Sequence, residues 1–357
     1  MNALALWISL KKPAYEKSEP FIYTSPLVPR GGGTVKWCIV ISSLAGALSM
    51  IYLVWFIGFQ TVFTGISRAG FWGMGLLCAY SLIVFVILSA AWICLLPRNR
   101  RASPSRFYLA RLVRDSIAEI TPLSPIVGMF AAARLMAVSG MDASYAAASV
   151  TADATTETMA QAAFLALGLA LGASHFHNLS GNESLSGIML AALFLAIPCI
   201  AGSIALQKRG ADWAQRMIGR FLPHAGEGAT FRQAIDNIYE SRSRLAGAAA
   251  LHLLGWILSA GGTFIAFRLV GSHIGFSDAL ALEALLCILR SLAAFVPAAI
   301  GVQEAGYAAL GPMFGASVEM SLAVSLLKRA REIVTGIPAL IYWQLAEGRR
   351  ALAGVHG

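Results

Sequence analysis

Charge is what this sequence has least of. Only 13% of its 357 residues are Asp, Glu, Lys or Arg, and 57% are hydrophobic, for a mean hydropathy of +0.69. Ordinary soluble domains carry roughly 25% charged residues. Too little polar surface is left to cover a water-soluble globule, and the same figures exclude a disordered chain. Cysteine is scarce as well. Cys38, Cys78, Cys94, Cys199 and Cys287 fall in apolar stretches without paired spacing, which excludes a disulfide scaffold and fits small core residues. No phosphate loop, dinucleotide fingerprint, zinc-helix signature or nucleophile elbow occurs. Hence no enzyme activity, no cofactor and no metal site is expected; His175 and His177, two apart, do not make a ligand set. What remains is an all-α polytopic membrane protein.

A helical span needs about 20 mostly apolar residues. Such stretches cover residues 37–59, 71–96, 149–171, 186–206 and 245–270, and a sixth, 319–345, is interrupted by charges. Two more apolar stretches, 120–139 and 276–314, carry proline and glycine midway and make poor simple spans. The expected organisation is a flexible cytoplasmic segment over residues 1–35, one transmembrane domain over 36–346, and a cytoplasmic tail over 347–357. Within the domain, residues 207–244 place Trp213, Met217, Ile218, Phe221 and Leu222 among basic residues, as an amphipathic cytoplasmic connection does.

Lys and Arg are unevenly spread between these stretches. Twenty lie in the N-terminal segment, the connections 97–119 and 207–244 and the C-terminal end, whereas the opposite connections hold Arg68 alone. The basic side is therefore expected to be cytoplasmic, with both termini inside. Topology thus accounts for the net charge of +9 without nucleic acid as a partner.

Two segments break the pattern of plain spans, and they break it alike. In residues 117–134 a helix-like run meets Pro122 and Pro125, and Gly128 opens another run toward Arg134. In residues 289–306 a run carrying Arg290 meets Pro297, and Gly301 opens the next. Proline removes a backbone hydrogen bond and favours a break, and irregular backbone at membrane depth needs protein or a wet cavity around it. Both read as re-entrant helical hairpins, the first entering from inside and the second from outside. Each precedes a helix with ionisable residues, Glu157 lying 29 residues after Gly128 and Glu332 lying 31 after Gly301. That symmetry points to an inverted repeat, an architecture whose site lies at the repeat interface.

The last stretch holds Lys328, Arg329, Arg331 and Glu332 near its middle. Each uncompensated charge there costs roughly 2.5–3.5 kcal/mol on insertion scales. Lys328 and Glu332 stand at i, i+4 and are placed to pair, with Glu283 and Glu304 as further partners for the cluster. Arg290, Arg329 and Arg331 are candidates for holding an anionic lipid headgroup, because a guanidinium forks onto phosphate. Glu304 and Glu332 would orient those arginines or exchange protons. In the first half, Asp153 and Glu157 put two carboxylates on one helix face, which calls for a cation such as Arg134 or for a bound proton. The other reading sets Asp153 in the cytoplasmic headgroup zone.

The run Pro297-Ala298-Ala299-Ile300-Gly301-Val302-Gln303-Glu304-Ala305 resembles the proline–glycine–glutamate signature of the lysylphosphatidylglycerol synthase transmembrane region, a flippase-like integral membrane family. Thr121-Pro122 and the helix with Asp153 are similar to its first hairpin region. Ala298-Ala299 and Gln303 stand where family members often carry Gly-Gly and Arg, and so resemble the branch encoded with hopanoid biosynthesis genes. The resemblance implies a bacterial inner-membrane protein that handles or translocates a lipid, with membrane lipids as partners. Lipid aminoacylation is not implied, since no counterpart of the fused members' transferase domain is expected. The alternative is a non-transporting scaffold that gathers lipid-biosynthesis enzymes on the 207–244 surface. Neither reading fixes an oligomeric state.

Overall fold

The computed structural model describes residues 59–97, 102–120, 125–180, 230–293, 299 and 301–353. The spans expected at 37–59 (Phe59 apart) and 186–206, the 1–35 segment, Pro122 and Pro297 lie outside the described residues. Every regular element described is helical. They are α1 (Phe59–Leu95), α2 (Pro104–Ile120), α3 (Pro125–Val138), α4 (Ala143–Ser180), α5 (Phe231–Tyr239), α6 (Arg242–Leu269), α7 (Phe276–Leu292), α8 (Val302–Leu310), a 3-10 turn (Gly311–Phe314) and α9 (Val318–Ala353).

Among the described residues three helices are long and apolar enough to cross a membrane: Ala69–Leu95 of α1, Ala143–His175 of α4 and Arg242–Leu269 of α6. They coincide with the expected spans 71–96, 149–171 and 245–270. The sixth expected stretch is also one helix, α9, but its charges set it apart from these three, and it runs on to Ala353 through part of the segment expected as a tail.

Long-range contacts give the relative directions. The α1 and α6 helices are antiparallel: the Cys94 thiol donates to the Arg244 carbonyl at 3.8 Å, and the Tyr80 hydroxyl donates to the Leu258 carbonyl at 2.8 Å. By contrast α4 and α6 run the same way, His252 meeting Asp153 near their starts and Trp256 stacking on Phe164 further along. Charge bias predicts these same directions.

The two proline-broken segments form hairpins that enter the bundle from opposite ends. Helix α7 starts where Asp278 meets His175 of α4, descends until Cys287 meets Gln161, and α8 brings the chain back until Phe314 reaches the His175 ring. The other hairpin starts and finishes at the far end. There Arg106 of α2 donates to the Ser139 carbonyl just beyond α3, and Arg134 pairs with Glu347 of α9 at 2.8 Å. One apolar core fills each end, around Trp92, Phe107, Met136 and Ile238 at the second and around Phe267, Leu282, Tyr307 and Leu327 at the first.

Two sequence expectations are corrected here. Gly128 does not mark a break, for it lies inside α3, whose backbone rides over α2; a Cβ at Gly128 would stand 2.4 Å from the Arg114 carbonyl oxygen. Pro125 opens that helix, a position that tolerates the missing N–H. The residues that marked the 207–244 connection as amphipathic, Trp213, Met217, Ile218, Phe221 and Leu222, lie outside the described residues; its described end is packed on protein. Helix α5 is capped by Thr230 and buries Phe231, Ala234 and Ile238 against the far-end core, while Tyr239 donates to Thr155 of α4 at 3.1 Å.

A similar close approach joins α9 to the tip of α2, where a Cβ on Gly336 would lie 2.2 Å from Ile120 Cδ1 and 2.9 Å from Ser116 Oγ. Overpacking of this kind costs ~1–3 kcal/mol. Gly336→Val should therefore lower the thermal midpoint of the detergent-solubilised protein, and an unchanged midpoint would show that the two helices separate freely.

Candidate functional site

Ionisable side chains collect in two buried networks, one per hairpin, both reached by α6. His252 of α6 belongs to the first and Thr263 to the second; eleven residues apart, they are separated by about 16 Å along the helix.

In the first network, Arg111 and Arg114 of α2 face Asp153 and Glu157 of α4. Arg111 is 1% exposed and Asp153 is fully buried. Asp153 Oδ2 accepts from Arg111 Nη1 at 2.9 Å and Arg114 Nη1 at 2.8 Å, and its Oδ1 lies 3.0 Å from His252 Nε2. Glu157 accepts one bond from each arginine, and Asp115 takes their Nε groups at 2.7 and 2.9 Å. Each guanidinium thus spans three carboxylates, the geometry that repays burial of charge. The cation expected for Asp153 and Glu157 was Arg134; Arg134 lies instead on the far side of its hairpin with Glu347. Neither carboxylate sits free in a headgroup zone.

The second network is built on α9. Lys328 Nζ donates to both oxygens of Glu283 at 2.7 and 2.8 Å, to Tyr307 Oη at 2.9 Å and to Thr263 Oγ1 at 3.0 Å. Lys328 therefore turns away from Glu332, the i, i+4 partner expected for it. Arg329 bonds Glu304 Oε1 at 3.1 Å and the Ala299 carbonyl at 3.0 Å, with Glu332 at 3.5 Å. Ala299 has φ 48 and Gly301 has φ 79, so the second break is left-handed at both residues. Glu304 caps α8 across it by accepting from the Gly301 N–H at 2.8 Å. Arg331 donates to Ser81 of α1 at 2.9 Å and to Glu332 at 3.1 Å, and its buried Nε has no partner among the described residues.

The tips of the two hairpins converge on this stretch of α9. Arg329 touches the second break and Gly336 touches the end of α2; seven residues separate them, about 10 Å along the axis. Each tip brings one ionisable group, Glu119 at the end of α2 and Arg290 at the end of α7. The two lie within electrostatic range of each other and of Glu332. Neither makes a hydrogen bond or ion pair with a described residue. Both keep intermediate accessibility.

The residues singled out in the sequence therefore divide. Arg331 pairs with Glu332, Arg329 joins Glu304 to the second break, Arg290 ends α7 near them, Lys328 braces the second core, and Asp153 and Glu157 belong to the first network. Sequence reasoning missed Arg111, Arg114, His252 and Glu119. The first two were counted as connection charges, although Leu112, Val113 and Ile117, apolar and also buried in α2, stand among them in sequence, and that was the available signal. Among the described residues no group of His, Cys, Asp and Glu could hold a metal ion.

No curated protein and no solved structure matches the chain. A family model described as "Lysylphosphatidylglycerol synthase TM region" matches residues 39–339, which is most of the sequence and takes in both hairpins and both networks. The chain is a membrane-embedded, all-helical member of the lysylphosphatidylglycerol synthase TM region family.

Proposed function

We propose that this chain is a flippase-like lipid handler, not an enzyme, and that it moves a lipid headgroup past the crevice between its two hairpins. The observation that carries the reading is the convergence of two opposed, broken hairpins on the charged middle of α9, with Glu119 and Arg290 left without direct partners there. Helices interrupted at membrane depth are tolerated where they line a polar path. The fit of charge to task supports it too. Arg329 is held by Glu304, Glu332 and Ala299 and Arg331 by Glu332 and Ser81, so Arg290 is the cation left to meet an anionic group.

An inverted repeat is part of the proposal. So is insertion in a bacterial inner membrane with both termini cytoplasmic. The basic bias supports that orientation even after Arg111 and Arg114 are moved from the connection into the protein interior, since eighteen basic residues then stand against Arg68. Ala298-Ala299 and Gln303 in the signature run support a place in hopanoid metabolism; a neutral hopanoid as the cargo itself would leave the arginines structural. The scaffold reading loses part of its proposed contact surface, because α5 spends its apolar face on the core.

The test is lipid redistribution between leaflets in proteoliposomes. Arg290→Gln should slow it at least about tenfold, the loss expected when one charge-assisted bond to phosphate disappears. Arg242→Gln, at the exposed start of α6, should not. Equal rates in the wild-type and Arg290→Gln proteins would refute the reading.

A further inference from the structure

The two buried networks differ in their balance of charge. In the second, Lys328 meets Glu283, and Arg329 and Arg331 meet Glu304 and Glu332, one cation for each carboxylate. In the first, Arg111 and Arg114 stand against Asp115, Asp153 and Glu157. Two cations against three carboxylates leave one negative charge over, where an uncompensated charge is costly. The i, i+4 carboxylates call for a cation or a bound proton, and the arginines are only part of the answer.

The other part is His252. Its ring and Asp153 are both 0% exposed, and its Nε2 lies 3.0 Å from Asp153 Oδ1. An ionised carboxylate only accepts, so Nε2 is the ring nitrogen that carries a hydrogen. In the neutral ring Nδ1 is then a bare lone pair, and it is buried with no partner among the described residues. The charged groups around the ring come from α4 (Asp153 and Glu157) and α2 (Arg111, Arg114 and Asp115). Helix α1 passes this stretch of α6 with the Cys94 thiol toward Gly247 and the Tyr80 hydroxyl on Leu258. Glu283 of α7 and Lys328 of α9 meet α6 further on, at Thr263.

A proton fits this place and a metal ion does not, since no described group of His, Cys, Asp and Glu could hold one. One proton on Nδ1 brings the network to zero charge and adds no atom that needs room. Imidazole is also the side chain suited to exchanging a proton near neutrality. The Nε2–H···Asp153 contact then joins two ions, which ties α6 more firmly to α4 and, through the shared carboxylate, to arm α2 of the first hairpin. We propose that His252 is a proton-binding site, which takes up one proton at Nδ1 and, while charged, clamps α6 to α4 and the first hairpin. Within the lipid-handling reading, on which this last step rests, the clamp makes lipid movement depend on proton binding.

The test uses the full chain in detergent, with histidine ring nitrogens labelled with nitrogen-15 and followed by NMR against pH. The chain has six histidines, and the signals missing from His252→Gln are those of His252. Its Nδ1 should pass from bare to protonated as the pH falls, while Nε2 keeps its hydrogen throughout. Asp153→Asn leaves two cations against two carboxylates, so the ring should then bind its proton at least about tenfold more weakly. An Nδ1 that stays bare, or stays protonated, at every pH at which the wild-type protein is folded overturns the site. Equal proton affinity in Asp153→Asn overturns it as well. In proteoliposomes the wild-type rate of lipid redistribution should change at least about fivefold across the same titration, the low end of coupling between two sites. His252→Gln, which still offers Asp153 an N–H but does not titrate, should show no such change. A titrating ring with pH-independent lipid movement overturns the clamp. No lipid movement at any pH would fail the lipid-handling reading alone, because the NMR titration involves no lipid transport.

Discussion

Arg111→Met should destabilise the protein by ~3–5 kcal/mol, the cost of removing one partner from a buried ion pair. Arg111 is wholly inside the protein and ties together Asp115, Asp153 and Glu157. Without it, three carboxylates face Arg114 alone, with His252 touching only Asp153. Methionine keeps most of the volume, so the loss reports charge rather than a cavity. The same reasoning makes the double variant less damaged than the sum of its parts. Asp153→Leu alone strands three donors, whereas Arg111→Met/Asp153→Leu leaves Arg114 with Asp115 and Glu157. A coupling energy of about 1–3 kcal/mol is expected from the cycle. SDS-driven unfolding of the reconstituted protein measures all four forms; strict additivity would mean that the network is a set of independent contacts.

The two networks are arranged with opposite polarity. In the first half the hairpin arm α2 carries the cations and the following long helix α4 the carboxylates. In the second half the hairpin arm α7 carries the carboxylate Glu283, and the long helix α9 carries Lys328. Helix α6 supplies a hydrogen-bonding group to each, His252 and Thr263. Buried ion pairs give little net stability but specify which surfaces meet. Here they lock each hairpin arm to the long helix of its own half, in a membrane interior where apolar packing alone discriminates poorly between helices.

How much of this was legible in the sequence depended on the period of the pattern. The long apolar helices announced themselves by length, because lipid demands about 20 apolar residues whatever the neighbours are. The second break was legible from Gly301, whose φ is 79, while Pro122 and Pro297 lie outside the described residues. Gly128 was misread because a glycine that permits close helix packing looks, in sequence, like one that ends a helix; only the Arg114 carbonyl opposite it distinguishes the two. The ion pairing was misread for a different reason. Arg111 and Arg114 sit among arginines that follow a span, so composition assigned them to a connection, and local spacing favoured Lys328 with Glu332. Partners such as Glu283, 45 residues away from Lys328, are set by tertiary packing that one sequence does not display.

Lys328→Met should be as damaging as Arg111→Met, again about 3–5 kcal/mol. Glu283 would be left with two hydroxyl donors, Thr263 and Tyr307, and no cation. Glu283→Gln should cost a similar amount, because it leaves the Lys328 ammonium buried without a counter-charge. Pairing the substitutions as Lys328→Met/Glu283→Leu removes both charges and should recover much of the stability, as replacement of buried ion pairs by apolar groups does. Lys328→Arg should not rescue, since four acceptor atoms lie 2.7–3.0 Å around a single compact ammonium and a planar guanidinium needs a different cage. SDS-driven unfolding reads the stability of every form. A Lys328→Met/Glu283→Leu protein no more stable than Lys328→Met would refute the pairing, because a brace that acts through charge is relieved when both charges are removed together.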